Sequence, residues 1–234
     1  MSELTTPENN DEASLPIAER YVYSIDPSRL TFMLRLLLSL WIGCIAVSIV
    51  LTSMENTILQ SSGLTLDELQ SHQFTTFLFG MVQLVVTLTT MITFLVWKRR
   101  AHLNVRGFGA EGLKFTPLLS IGYYFVPILS VFKPYQAMRE IYKASINPRS
   151  WETINGSPLL IVWWTIFLVS LGLDQVALRL LLKSETIDEL MFANNMNIAS
   201  DVVSILLGAV VLMLVITISR NQHRLVSQGA KLNS

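Results

Sequence analysis

The sequence predicts an all-α integral membrane protein whose four transmembrane helices form two tandem-repeated hairpins. Three observations point there. Of the 234 residues, 51% are hydrophobic and only 15% charged, a balance well to the apolar side of soluble domains. The apolar residues gather in four runs, 30–52, 75–97, 159–182 and 198–219, each near the 20 or so residues that a helix needs to cross a bilayer. The chain also matches itself at a constant, ungapped offset of 121 residues: Glu19, Tyr21, Ser24, Ile25 and Pro27 recur as Glu140, Tyr142, Ser145, Ile146 and Pro148. Thr65, Asp67, Glu68 and Leu69 return as Thr186, Asp188, Glu189 and Leu190, and Arg99 and His102 as Arg220 and His223. Separated blocks in one register imply a duplicated helical hairpin.

Residues 1–28 are polar and acidic, with Glu3, Glu8, Asp11, Glu12 and Glu19. They lack the basic-then-apolar layout of a cleavable signal and read as a cytoplasmic tail ending in a short surface segment. The first hairpin occupies 29–108. Residues 109–133 form a connector whose apolar stretch, 115–132, is interrupted by Pro117, Gly122 and Pro127 and flanked by Lys114 and Lys133. An in-plane helix and the second hairpin take 134–228, and 229–234 are a C-terminal tail.

Charge sets the expected orientation. With four spans, fourteen Lys and Arg fall on one face and two, Arg179 and Lys183, on the other, with Arg35 inside the first span. Basic loops are retained in the cytoplasm, so both termini are expected inside. Letting 115–132 cross would turn that division into nine against seven, so this stretch is expected to be re-entrant or interfacial, shielded by the bundle because bare backbone in hydrocarbon is costly.

In the second copy Pro134 suits a first helical turn. Tyr135, Met138, Ile141 and Tyr142 then share one stripe, and Gln136, Arg139, Glu140 and Lys143 the other, the pattern of a helix lying in the membrane surface. Trp151 is expected at the interface before the third span. On the outer side, Thr65 with Glu68 and Thr186 with Glu189 fit capping boxes, each expected to open a short helix in the outer loop.

The stretch from Phe125 to Ser145, preceded by Trp97 and Asn104 and followed by Trp163 and Trp164, resembles the signature of a bacterial membrane-protein family known only as a domain of unknown function. The resemblance covers roughly 97–173. It rests on Trp97, Asn104, Pro127, Lys133, Pro134, Gln136, Glu140, Trp163 and Trp164, and implies a multi-span bacterial membrane protein with no assigned reaction.

Ionisable groups within spans are the default functional candidates. Arg35 lies about 8 Å into its helix at 1.5 Å per residue, close enough to snorkel to the inner headgroups. Asp174 and Asp201, near the outer end of the second hairpin, are read either as flanking an outward cavity that binds a cation or relays a proton, or as helix-end residues at the interface. Lys133, Gln136, Arg139, Glu140 and Lys143 form the densest polar surface beside the membrane and suit anionic lipid headgroups, although retention of topology needs the same charges.

Cys44, the single cysteine, precludes a disulfide within one chain. His102 and His223 are too thin a pair to support a metal site. Gly107, Gly109 and Gly112 match a dinucleotide fingerprint but follow a membrane helix where the motif needs a strand, and read as a flexible turn. No catalytic motif, metal or cofactor is expected, and nucleic acid is not an expected partner. The leading expectation is a non-enzymatic scaffold, sensor or lipid- or partner-contacting protein, self-associating or bound to another membrane protein. The alternatives are a small transporter or channel with inverted repeats, which needs 115–132 to cross, and a membrane-embedded enzyme acting on lipid with Glu140 or Asp174 as acid or base.

Overall fold

The computed structural model describes residues 21–61 and 66–231. The acidic tail before Tyr21, Thr65 of the first outer cap and residues 232–234 lie outside the described residues. The chain is all-helical: α1 (Ser28–Gln60), α2 (Leu66–Gly107), α3 (Leu119–Gly122), α4 (Leu129–Ala144), α5 (Pro158–Lys183) and α6 (Ile187–Lys231), with single 3-10 turns at Tyr123–Phe125 and Trp151–Thr153. Four of these helices, α1, α2, α5 and α6, are long and apolar enough to cross a membrane. Only between 6 and 33% of the most apolar window of each is buried inside the protein, so lipid tails must cover the rest, and the chain is a multi-pass membrane protein.

Two helices outrun the bilayer. With 42 and 45 residues, α2 and α6 are about 63 and 68 Å long, roughly twice a hydrocarbon core of about 30 Å. The separate short helix expected in the second outer loop is therefore absent. The capping box instead opens α6 itself: Glu189 N donates to Thr186 Oγ1 at 3.3 Å, while Glu189 Oε2 accepts from the amides of Glu185 at 2.9 Å and Thr186 at 3.3 Å. Residues 190–198 contain neither Gly nor Pro, so nothing stops the helix before it enters the membrane. Asn56 of α1 is tied to this end of α6 through Asn194 and Asn195, at 3.0 and 3.1 Å.

The long helices pack in the order α2, α1, α6, α5, and α4 lies between the two ends of that row, touching both α2 and α5. α1 and α6 approach closely at Gly208, where a Cβ would stand 2.7 Å from Ile42 Cγ1 and 3.1 Å from the Trp41 ring. The main core joins Leu34 of α1, Trp97 of α2, Met138 and Ile141 of α4, Leu160 and Trp163 of α5 and Leu214 and Ile218 of α6.

That core corrects two expectations. The apolar stripe of α4 does not face the membrane: Met138 and Ile141 are fully buried against the bundle. The polar stripe is split, with Glu140 and Lys143 buried while Gln136 and Arg139 stay exposed. Packing against protein excludes water as well as lipid does and adds close van der Waals contact. Trp151 is likewise no interfacial anchor. It is buried among Val105, Ala110 and Ala144, and its indole N–H donates to Glu111 O at 2.7 Å.

Candidate functional site

A set of buried polar side chains clamps the connector to one end of the bundle, and the connector in turn floors an interhelical cavity. The clamp starts on α2, where Trp97, Lys98, Ala101, His102 and Val105 follow helical spacing and are all buried. Lys98 Nζ donates to Ser120 O at 3.0 Å, Tyr124 OH at 3.3 Å and Pro134 O at 3.4 Å, and lies 4.5 Å from the Tyr124 ring centroid. None of these partners is a carboxylate. A buried ammonium costs several kcal/mol unless dipoles replace its water, a role met here by two carbonyls, a phenol and an aromatic face. Burial in turn pushes the Tyr124 phenol pKa upward.

From α4, the Glu140 carboxylate accepts from Lys114 N at 3.3 Å and Phe115 N at 3.4 Å. Arg106 of α2 donates to Phe115 O at 2.8 Å. These bonds bring the start of the connector beside α4, so its two ends meet at one end of the bundle. Trp164 holds the far side of the loop, its indole N–H donating to Val131 O at 2.9 Å. Behind α4, Gln222 of α6 donates to Ala101 O at 3.0 Å and to Ser145 Oγ at 3.1 Å, and Lys143 donates to Glu152 O at 3.2 Å. Asn104 accepts from Ile25 N at 3.0 Å, docking the segment before α1, while Tyr21 and Tyr23 pack on Phe108 with centroids 5.9 Å away. Two groups keep unmet capacity: both ring nitrogens of His102 and the Asn104 amide nitrogen are buried without a hydrogen-bond partner.

The glycine turn read from the sequence is present, with Gly109 at φ +86° and Gly112 at φ +70°. A tighter one follows at Pro127. Leu129 N donates to Pro127 O at 2.8 Å across Ile128, which sits at φ 67°, ψ −51°, a positive-φ γ-turn that is rare and strained for any residue with a Cβ. For a β-branched residue such strain costs about 1–3 kcal/mol. Replacing Ile128, itself exposed, by Gly is therefore expected to stabilise the protein in detergent by about 1 kcal/mol after the backbone entropy of Gly is set against it. Thermal unfolding of Ile128→Gly checks this, and a lower midpoint than wild type would refute the strain.

Above the connector lies a cavity of about 470 Å³. Its walls come from all four long helices: Leu38 and Trp41 of α1, Thr87, Thr90 and Phe94 of α2, Trp163, Phe167 and Asp174 of α5, and Ser204 and Val211 of α6, with Tyr124, Phe125 and Val131 of the connector below. Near Asp174 the hydroxyls cluster. Ser200 donates to Asp174 Oδ1, and Ser170 and Ser204 share a hydrogen bond at 3.0 Å. Asp201, one residue beyond Ser200, is half-buried and keeps one carboxylate oxygen without a partner.

The structure thus separates the sequence candidates. Asn104, Glu140, Lys143 and Trp164 serve the clamp, Trp163 the core and cavity wall, and Asp174 the cavity. Lys133 lies 5.7 Å from the Phe115 ring, half-exposed, with Pro127, Gln136 and Arg139 exposed around it. Arg35 is exposed on α1. His102 is fully buried while His223 is exposed, so the two do not form one site, and among the described residues no three His, Cys, Asp or Glu gather to hold a metal. Lys98, Ser145 and Gln222 were not legible as clamp residues. The one available signal was the four-residue spacing of Lys98 and His102 beside Trp97, Ala101 and Val105.

Most residues of the clamp and of the cavity fall within residues 60–220, Gln222 being just beyond, and over that span the chain matches a family described as a domain of unknown function, DUF4328. The chain belongs to the DUF4328 family. The match takes in α2, the connector, α5 and most of α6, so the DUF4328 region carries Lys98, Glu140, Trp163, Trp164 and Asp174, while α1 adds Leu38 and Trp41 to the cavity from outside it. Neither a curated protein nor a solved structure matches the chain.

Proposed function

We propose that this chain is a non-enzymatic bacterial inner-membrane protein of the scaffold or sensor kind, with both termini cytoplasmic, that engages the cytoplasmic leaflet through its connector. One observation carries the reading. Leu118, Phe125, Ile128 and Phe132 are between 59 and 77% exposed on the connector, beside the half-exposed Lys133 and exposed Arg139. Bare apolar side chains call for hydrocarbon, and cations at the same level call for anionic headgroups. Both oxygens of Glu140 already accept backbone amides, which argues against its service as an acid or base. The tie of Lys114 and Phe115 to Glu140 also argues against the crossing that an inverted-repeat transporter needs.

Two measurements test the reading. Retention of phosphatidylglycerol by the purified protein, read by native mass spectrometry, should weaken about thirtyfold in Lys133→Gln/Arg139→Gln, at about 1 kcal/mol per cation. Equal retention by wild type and variant would remove the headgroup contact. Orientation is read at Ser150, which is exposed, whereas Ser145 is fully buried. Ser150→Cys in a Cys44→Ala background should react with an impermeant thiol reagent only after cells are opened, and labelling of intact cells would place the connector outside.

A further inference from the structure

We propose that the interhelical cavity is a binding site for a lipophilic organic cation, its apolar body against the aromatic walls and its positive group at Asp174. The proposal goes beyond leaflet contact and does not depend on it: Asp174, which selects the cation, lies on α5, and of the residues named for leaflet contact Phe125 alone lines the cavity.

Size and shape come first. About 470 Å³ lies within the range of roughly 300–1,000 Å³ common to small-molecule sites. On α5 the lining residues Trp163, Phe167, Ser170 and Asp174 recur at helical spacing, so they form one stripe about 16 Å long at 1.5 Å per residue. Trp41 and Phe94 face it from α1 and α2. The wall is thus aromatic along its length and polar at one end.

Charge then selects the ligand. Of the described lining residues, Asp174 alone is a charged side chain. Ser200 occupies its Oδ1, and the second carboxylate oxygen remains for a ligand. At the opposite end the floor residue Tyr124 is hydrogen-bonded to the Lys98 ammonium. A cation is therefore repelled from the floor and drawn toward Asp174. The aromatic side chains of Trp41, Phe94, Trp163 and Phe167 then receive the apolar body of the ligand, as the walls of small-molecule sites commonly do. A purely aliphatic occupant would use neither the carboxylate nor this polarity.

Tetraphenylphosphonium is a suitable probe, and tetraphenylborate has the same shape with the opposite charge. Equilibrium dialysis of the full chain in uncharged detergent is expected to give saturable binding of one phosphonium per chain, with the borate at least tenfold weaker. Asp174→Asn, an isosteric change at an exposed residue, should weaken the phosphonium at least tenfold. Ser130→Trp, which fills the cavity from the connector, should abolish saturable binding, with size-exclusion profiles confirming that both variants remain folded. Equal affinity for the two ions, unchanged phosphonium binding in either variant, or no saturable binding by wild type would each overturn the proposal.

Discussion

Glu140→Ala is expected to destabilise the protein by about 2–4 kcal/mol and to free the start of the connector. The carboxylate is buried and is the acceptor for Lys114 N and Phe115 N. Removing it leaves two backbone donors short of a partner, at about 1–3 kcal/mol each, offset in part by relief from burying the carboxylate. Thermal unfolding in detergent reads the loss. Hydrogen exchange locates it, with faster exchange expected at residues 113–116 and little change at the Ile187 end of α6. Uniform acceleration along the chain, or none, would mean that Glu140 does not hold the connector. The same group gives a pH signature. Burial raises its pKa above the ordinary 4.5 and outweighs the two amides, Lys114 and Arg106, which lower it. Folding therefore favours the protonated form. The stability linked to that proton is complete below pH 4.5 and is lost as the pH rises through the raised value. Glu140→Gln should remove this slope.

Gly208→Val is expected to cost about 2–3 kcal/mol by wedging α1 from α6. Even the first carbon of a new side chain would stand 2.7 Å from Ile42 Cγ1, and overpacking of this kind costs typically 1–3 kcal/mol. Because helices in a bilayer associate through close packing more than through exclusion of water, small residues at a crossing carry much of the contact. Ile42→Ala in the Gly208→Val background should restore most of the loss. A double variant no more stable than Gly208→Val would show that the clash lies elsewhere. A single small residue in a long apolar run does not reveal which helix it meets, so this crossing is not legible in the sequence.

The signature residues from Trp97 to Trp164 illustrate a second limit. In the sequence Asn104, Pro127, Lys133, Gln136, Arg139, Glu140, Lys143, Trp163 and Trp164 read as ligand or partner candidates. In the structure Glu140 and Trp164 tie down backbone of the connector, Asn104 docks the segment before α1, and Pro127, Lys133, Gln136 and Arg139 stay accessible. Their spacing advertises a shared role, but a hydrogen bond to a main-chain amide and one to a ligand require the same side chain.

What the sequence by itself determined is the number of spans, the broken character of 115–132 and the glycine turn before it, because length, hydropathy and Pro or Gly act on the chain locally. What only the tertiary structure decided is the helix order, the inward turn of α4, the burial of Lys98 and the cavity below Asp174. A membrane helix that is apolar on every side shows no stripe to name its neighbours. Lys98 reads as one of three successive topology charges until Ser120, Tyr124 and Pro134 fold back over it, and that environment is made by residues a loop away.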